Sequence, residues 1–140
     1  MPFDLERFVT AQEGVYDGAL RELRAGRKTG HWIWFIFPQL AGLGRSEMSR
    51  FYGIESLAEA RAYLEHPVLG PRFRECIGAV LATSGLTAEQ IFGSLDAMKV
   101  RSSMTLFVRA APDEPLFSGM LDRFYAGVAD ERTDAMLGAG

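Results

Sequence analysis

Asp96, Lys99 and Ser103 fall at i, i+3 and i+7, with Ser102 beside them, so on a helix they form one polar stripe. A carboxylate, an ammonium and two hydroxyls on one face can hold an anion or move a proton. The plainer reading of Asp96 and Lys99 is an ordinary surface ion pair worth about 0.3–0.5 kcal/mol. The two serines ask for more. Adjacent serines are weak helix formers and offer no packing, so binding a ligand or hydrogen-bonding another helix explains them better than propensity does.

A second cluster lies nearer the N-terminus. Arg24, Arg27, Lys28 and His31 gather positive charge and a titratable imidazole directly before Trp32-Ile33-Trp34-Phe35-Ile36-Phe37. Cations there complement a helix C-terminus and need no ligand to account for them. Placed beside Trp34, they also suit an anionic or aromatic ligand. Gln39 follows the aromatic run, and Gly42-Leu43-Gly44-Arg45-Ser46 precedes a helix that could turn backbone N–H groups towards a phosphate. This glycine pair lacks the Lys-Ser/Thr of a P-loop and follows no strand of a βαβ unit, so a turn capped by Ser46 is the simpler reading.

No Cys/His cluster, His-Glu helix motif or Gly-x-Ser-x-Gly elbow occurs, so no metal site is expected. Cys76 is the lone cysteine and shares a helical stripe with Leu69, Phe73, Ile77 and Val80, which reads as a buried structural thiol. Gln12 sits within an apolar stripe; it either bonds a neighbouring backbone group or faces a ligand pocket.

The elements that must position these residues are helical. Apolar residues recur at helical spacing over residues 4–25, with Asp4 as the expected N-cap and Gly26 just past the end. The aromatic run has no alternating strand to pair with and is read as helix. Residues 38–46 read as a loop, Ser46 as the cap of a short helix, and Ser56-Leu57-Ala58-Glu59 as a capping box for a helix ending at His66-Pro67. A further helix is expected from Pro67 to about position 83, a second capping box at Thr87-Ala88-Glu89-Gln90, and helices over residues 95–110 and 116–125. A last helical segment is read over 130–137.

The helix over 95–110 carries one apolar face of Ala97, Val100, Met104, Phe107 and Val108 and another of Leu95, Met98 and Leu106, which predicts a central position. Short loops then favour an all-α compact bundle of about six to seven helices, one domain over residues 1–140.

Composition narrows the function classes. With 15 Lys and Arg against 18 Asp and Glu, the chain has no global basic field, so nucleic acid is an unfavoured partner. The 48% hydrophobic content builds a folded core. No apolar run approaches membrane-spanning length, the N-terminus lacks a leader pattern, and one cysteine suits a reducing compartment, so a cytoplasmic location away from membranes is expected.

Arg27-Lys28, His31-Trp32, Trp34-Phe35-Ile36-Phe37-Pro38-Gln39, Gly42-Leu43-Gly44-Arg45-Ser46, Tyr63-Leu64-Glu65-His66-Pro67 and Ser102-Ser103-Met104-Thr105-Leu106-Phe107 together closely resemble a bacterial family, domain of unknown function 1810. The resemblance spans nearly the whole chain. It implies a predominantly α-helical fold and no established activity or cofactor. Some members carry the label calpastatin, but the inhibitor of that name is a disordered polypeptide.

Two readings follow. In the first, His31, Trp34, Gln39 and Ser46 meet Asp96, Lys99, Ser102 and Ser103 in a pocket for an anionic, nucleotide-like or ADP-ribose-like ligand. Lys99 or Arg27 would neutralise the anion, Trp34 would stack on a flat moiety, and Asp96 or His31 would be the acid or base, with Lys28 a further ligand-binding candidate. In the second, the same residues form a hydrogen-bond network and an exposed patch including Trp32 or Trp34 docks a protein partner.

Overall fold

The structure, a computed structural model, describes residues 3–139. It is all-α, as expected, and the described residues form ten helices where about six to seven were expected. The excess comes from short elements. The expected helix over 4–25 is two: α1 (Glu6–Gln12) and α2 (Tyr16–Arg24). Gly14 between them has φ +75°, a left-handed conformation that ends α1 although the apolar periodicity runs through it. Leu5, with no side-chain hydrogen bond, stands at the N-cap of α1 where Asp4 was expected. Gly26 does follow α2 at φ +74°, and a Cβ there would lie 2.5 Å from Leu86.

The aromatic run forms a single turn, α3 (Ile33–Ile36). Four consecutive side chains on one turn point all around its axis, so they cannot all face the core. Ile33, Phe35 and Ile36 are buried, and Trp34 is the one left half-buried. Next come α4 (Glu47–Phe51), α5 (Leu57–Glu65), α6 (Leu69–Leu81) and α7 (Ala88–Phe92). Ser46 and Ser56 each accept an amide N–H at the start of their helices, and Thr87 and Gln90 complete a reciprocal capping box. At Ser56 the box is only half made. Glu59 instead accepts from the Glu55 amide at 2.7 Å and pairs with Arg7 at 3.1 Å.

The chain ends in α8 (Ser94–Ala110), α9 (Pro115–Tyr125) and α10 (Glu131–Ala139). α8 is central, packing against α3, α5, α7, α9 and α10. Phe73, Phe107 and Phe117 lie with ring centroids 4.6–5.7 Å apart and join Tyr63 and Phe37 in the core. Cys76 lies in this core, and burial pushes its thiol up to about 12. Of the second apolar face read on α8, Leu106 is buried, whereas Leu95 and Met98 are 75% and 68% exposed. No helix among the described residues is long and apolar enough to cross a membrane.

Candidate functional site

Trp34 faces a cleft of about 410 Å³. Its walls are the 43–46 loop and Ser49, Gln39 after α3, the first turns of α8 through Leu95, Met98, Lys99 and Ser102, and the entry to α10 through Asp130 and Arg132. Each wall has a local cause. Ser46 caps α4 by accepting from the Ser49 amide at 3.1 Å, which fixes the loop before it. Asp130 accepts from the Thr133 amide at 3.0 Å and the Thr133 hydroxyl at 2.5 Å, which starts α10. Arg132 donates to the Leu43 carbonyl at 3.2 Å and ties α10 to that loop. Arg109 holds α10 to α8 through a two-pronged pair with Asp134, both bonds 2.8 Å.

The Lys99 ammonium lies 4.8 Å from the Trp34 ring centroid and 3.1 Å from Asp96 Oδ1. Asp96 Oδ2 is in turn 2.6 Å from the Lys28 ammonium, which lies 5.0 Å from the Trp32 ring. Burial works to raise the Asp96 pKa, but hydrogen bonds and charge from Lys28 and Lys99 outweigh it and hold the carboxyl below its usual range. Asp96 is therefore a firmly ionised, weakly basic group. The lining combines the apolar surface of Trp34, Leu43, Leu95 and Met98 with three cations, Lys99, Arg45 and Arg132. Its one carboxylate, Asp130, is engaged in capping α10.

Of the residues the sequence singles out, Trp34, Gln39, Ser46, Lys99 and Ser102 line this cleft. Lys28 and Asp96 stand one step behind it through Lys99. Arg27 and His31 are exposed and outside the lining. Ser103 is wholly buried, does not line the cleft, and its hydroxyl has no hydrogen-bond partner among the described residues. Ser102 donates to the Met98 carbonyl of its own helix at 3.2 Å, so neither serine is seen to bond another helix. Trp32, at 2% exposure, adds nothing to a surface patch.

Sequence reasoning passed over Arg45 as a site residue, along with Ser49, Asp130, Arg132 and Glu22. Glu22 accepts from the amides of Thr29 and Gly30 and from the Trp32 indole at 2.7–3.0 Å, stapling the segment that carries Lys28. Burial tends to raise its pKa, and these three donors outweigh that and lower it. One signal was available: an acidic residue in the last turn of a helix opposes the dipole and calls for a partner. Arg132 offered no such signal, since its partner Leu43 is 89 positions away.

Comparison with known proteins adds three findings. A family model described as "Protein of unknown function (DUF1810)" matches residues 2–137. The crystal structure of the conserved hypothetical protein Rv1873 from Mycobacterium tuberculosis is similar at 54% identity and a TM-score of 0.96, covering 99% of each chain. No curated protein matches the chain. Neither description mentions calpastatin.

Proposed function

We propose that this chain, which belongs to the DUF1810 family of proteins of unknown function, binds a small anionic ligand with a flat or apolar body in the Trp34 cleft. One observation carries the reading: Lys99 sits against the Trp34 face on the cleft wall, while its carboxylate partner is shared with Lys28. Arg45 and Arg132 add positive charge to the same lining. A phosphate-bearing ligand with a base or another planar group suits cations and apolar surface side by side. Nucleotides and ADP-ribose are members of that class.

The reading is binding without an assigned catalytic acid or base. Asp96 is held ionised and is a weak base, and His31 lies outside the cleft. The hydroxyls of Ser46, Ser49 and Ser102 bond one another or main-chain carbonyls, with no imidazole or carboxylate partner among the described residues.

The test is a thermal-shift screen against nucleotides, ADP-ribose and sugar phosphates. A ligand at about 100 times its Kd stabilises the fold by about 2.7 kcal/mol, a rise in Tm of about 9 °C. A tenfold loss of affinity in Lys99→Ala should cut the rise to about half or less. No shift across the panel, or an undiminished shift in Lys99→Ala, would count against the reading. A second reading, a docking site for a protein partner, is favoured by the exposure of Leu95 and Met98 at the same cleft. It is separated by Leu95→Ser/Met98→Ser, which would leave binding of inorganic pyrophosphate, an anion without an apolar body, largely intact and weaken a docked partner.

A further inference from the structure

Lys28 does not line the cleft, yet we propose that it sets the cleft's charge: by sharing Asp96 with Lys99 it gives the trio one positive charge more than its single carboxylate offsets. It is thus a positioning residue for the anion site. The inference rests on the preceding reading in taking Lys99 as a cation of that site.

Two ammoniums converge on one carboxylate, Lys28 at 2.6 Å from Oδ2 and Lys99 at 3.1 Å from Oδ1, so the trio carries a surplus positive charge. Lys28 has the shorter contact and is 6% exposed, against 29% for Lys99. Burial makes the inner pair the stronger one, because screening by water weakens the outer contact. Asp96 also lies in the first turn of α8, where the helix dipole favours a carboxylate.

The inner pair is held from several sides. The Lys28 amide donates to the Ile91 carbonyl at 2.7 Å and its ammonium to the Gly30 carbonyl at 2.5 Å. Glu22 fixes the following residues through Thr29, Gly30 and Trp32. Joining this segment to α8 would need only one cation on Asp96. The second cation, Lys99, is the one that reaches the cleft and lies against Trp34. Without Lys28, Asp96 would serve Lys99 alone, and the neutral pair would withdraw one positive charge from the cleft.

Trp34 supplies a local reporter. The chain has two tryptophans, and Trp32 is 2% exposed, so a dissolved quencher acts chiefly on Trp34. Iodide quenching, divided by quenching with neutral acrylamide at constant ionic strength, reads the local potential without requiring the natural ligand. Lys28→Met keeps an apolar stem against Trp32 and should lower the ratio about twofold, as expected for losing one nearby unit charge. Lys28→Met/Asp96→Asn should restore it, which a merely structural role for Lys28 would not do.

An unchanged ratio in Lys28→Met, or a fall that the double variant does not reverse, would overturn the inference. If Lys99→Gln lowers the ratio in that same series, the anion-site reading stands while the role of Lys28 falls. If Lys99→Gln leaves the ratio unchanged, Lys99 is not the cleft's cation and both fall. Should Lys28→Met fail to fold, Asp96→Asn alone should raise the ratio about twofold, and no rise would overturn the inference.

Discussion

Two groups of polar side chains interrupt the apolar pattern of this chain, and they differ in how completely they are matched. In the inner group, Gln12 donates to the Phe35 carbonyl at 2.8 Å and accepts from Arg72 at 3.2 Å, while Glu59 pairs with Arg7 at 3.1 Å. Arg7 also donates to the carbonyls of Phe51 and Gly53. Donors and acceptors there meet their complements within the fold. At the cleft, Lys28 and Lys99 share Asp96, Arg45 and Arg132 line the same space, and the lining's carboxylate is engaged elsewhere. A buried polar group matched by the fold stabilises it, whereas a surplus of one sign in a concavity suits a ligand of the other sign. The stripe position of Gln12 and the stripe of Asp96 and Lys99 look alike in sequence; their partners distinguish them.

The largest effect should come from breaking the matched group. Glu59→Ala leaves the largely buried Arg7 side chain without its counter-charge and is expected to cost about 3 kcal/mol, the low end for a buried pair because Arg7 is 10% exposed and keeps its carbonyl partners. Urea unfolding measures it, and binding at the cleft should not change. Gln12→Leu should cost about 1–3 kcal/mol by the same measurement, by leaving the Arg72 guanidinium and the Phe35 carbonyl short of a partner.

At the cleft the balance reverses. Lys99→Gln should change stability by no more than about 0.5 kcal/mol. It should weaken binding of a phosphate-bearing ligand by about tenfold or more, the scale of one charge-assisted hydrogen bond, as read by calorimetric titration. If Lys99→Gln destabilised the fold as much as Glu59→Ala, the contrast between the two groups would collapse.

Asp96 links the two behaviours through pH. Its folded pKa is depressed, so the stability it contributes is present above its unfolded value and is lost as pH falls through the folded value. The stability difference between the wild type and Asp96→Asn should be flat above about pH 5 and shrink below about pH 4. A difference that grew on acidification would contradict the pairing described for Asp96. The smallest effect concerns Ser103. Its buried hydroxyl has no partner among the described residues, so Ser103→Ala should be neutral or stabilising by up to about 1 kcal/mol in thermal unfolding.

Much of the fold is legible locally. The caps at Ser46, Ser56 and Thr87 and the stop at Gly26 depend on residues within one turn, and the structure places them where sequence does. The break at Gly14 is not legible from periodicity, because Tyr16, Ala19 and Leu23 continue the stripe of Leu5 and Phe8 across it. Leu95 and Met98 are exposed although they share an apolar face with buried Leu106, since apolar spacing marks a stripe but not whether anything covers it.

The site divides along the same line. Trp34, Lys99 and Ser102 announce themselves through local incongruity, an aromatic that one helical turn cannot bury or a polar residue between apolar faces. Arg132 enters only because α10 folds back onto Leu43. His31 and Arg27 carry suggestive chemistry next to Trp32, but the chain directs them to solvent.

The central claim, that the Trp34 cleft receives an anion, is tested most directly by following the two indole N–H resonances by ¹⁵N NMR during titration with ADP and, separately, inorganic pyrophosphate. The Trp34 signal should move saturably while that of buried Trp32 moves far less, and in Lys99→Gln the Trp34 response should need about tenfold more ligand or more. Two stationary indoles up to millimolar ligand, or a saturable response confined to Trp32, would contradict it.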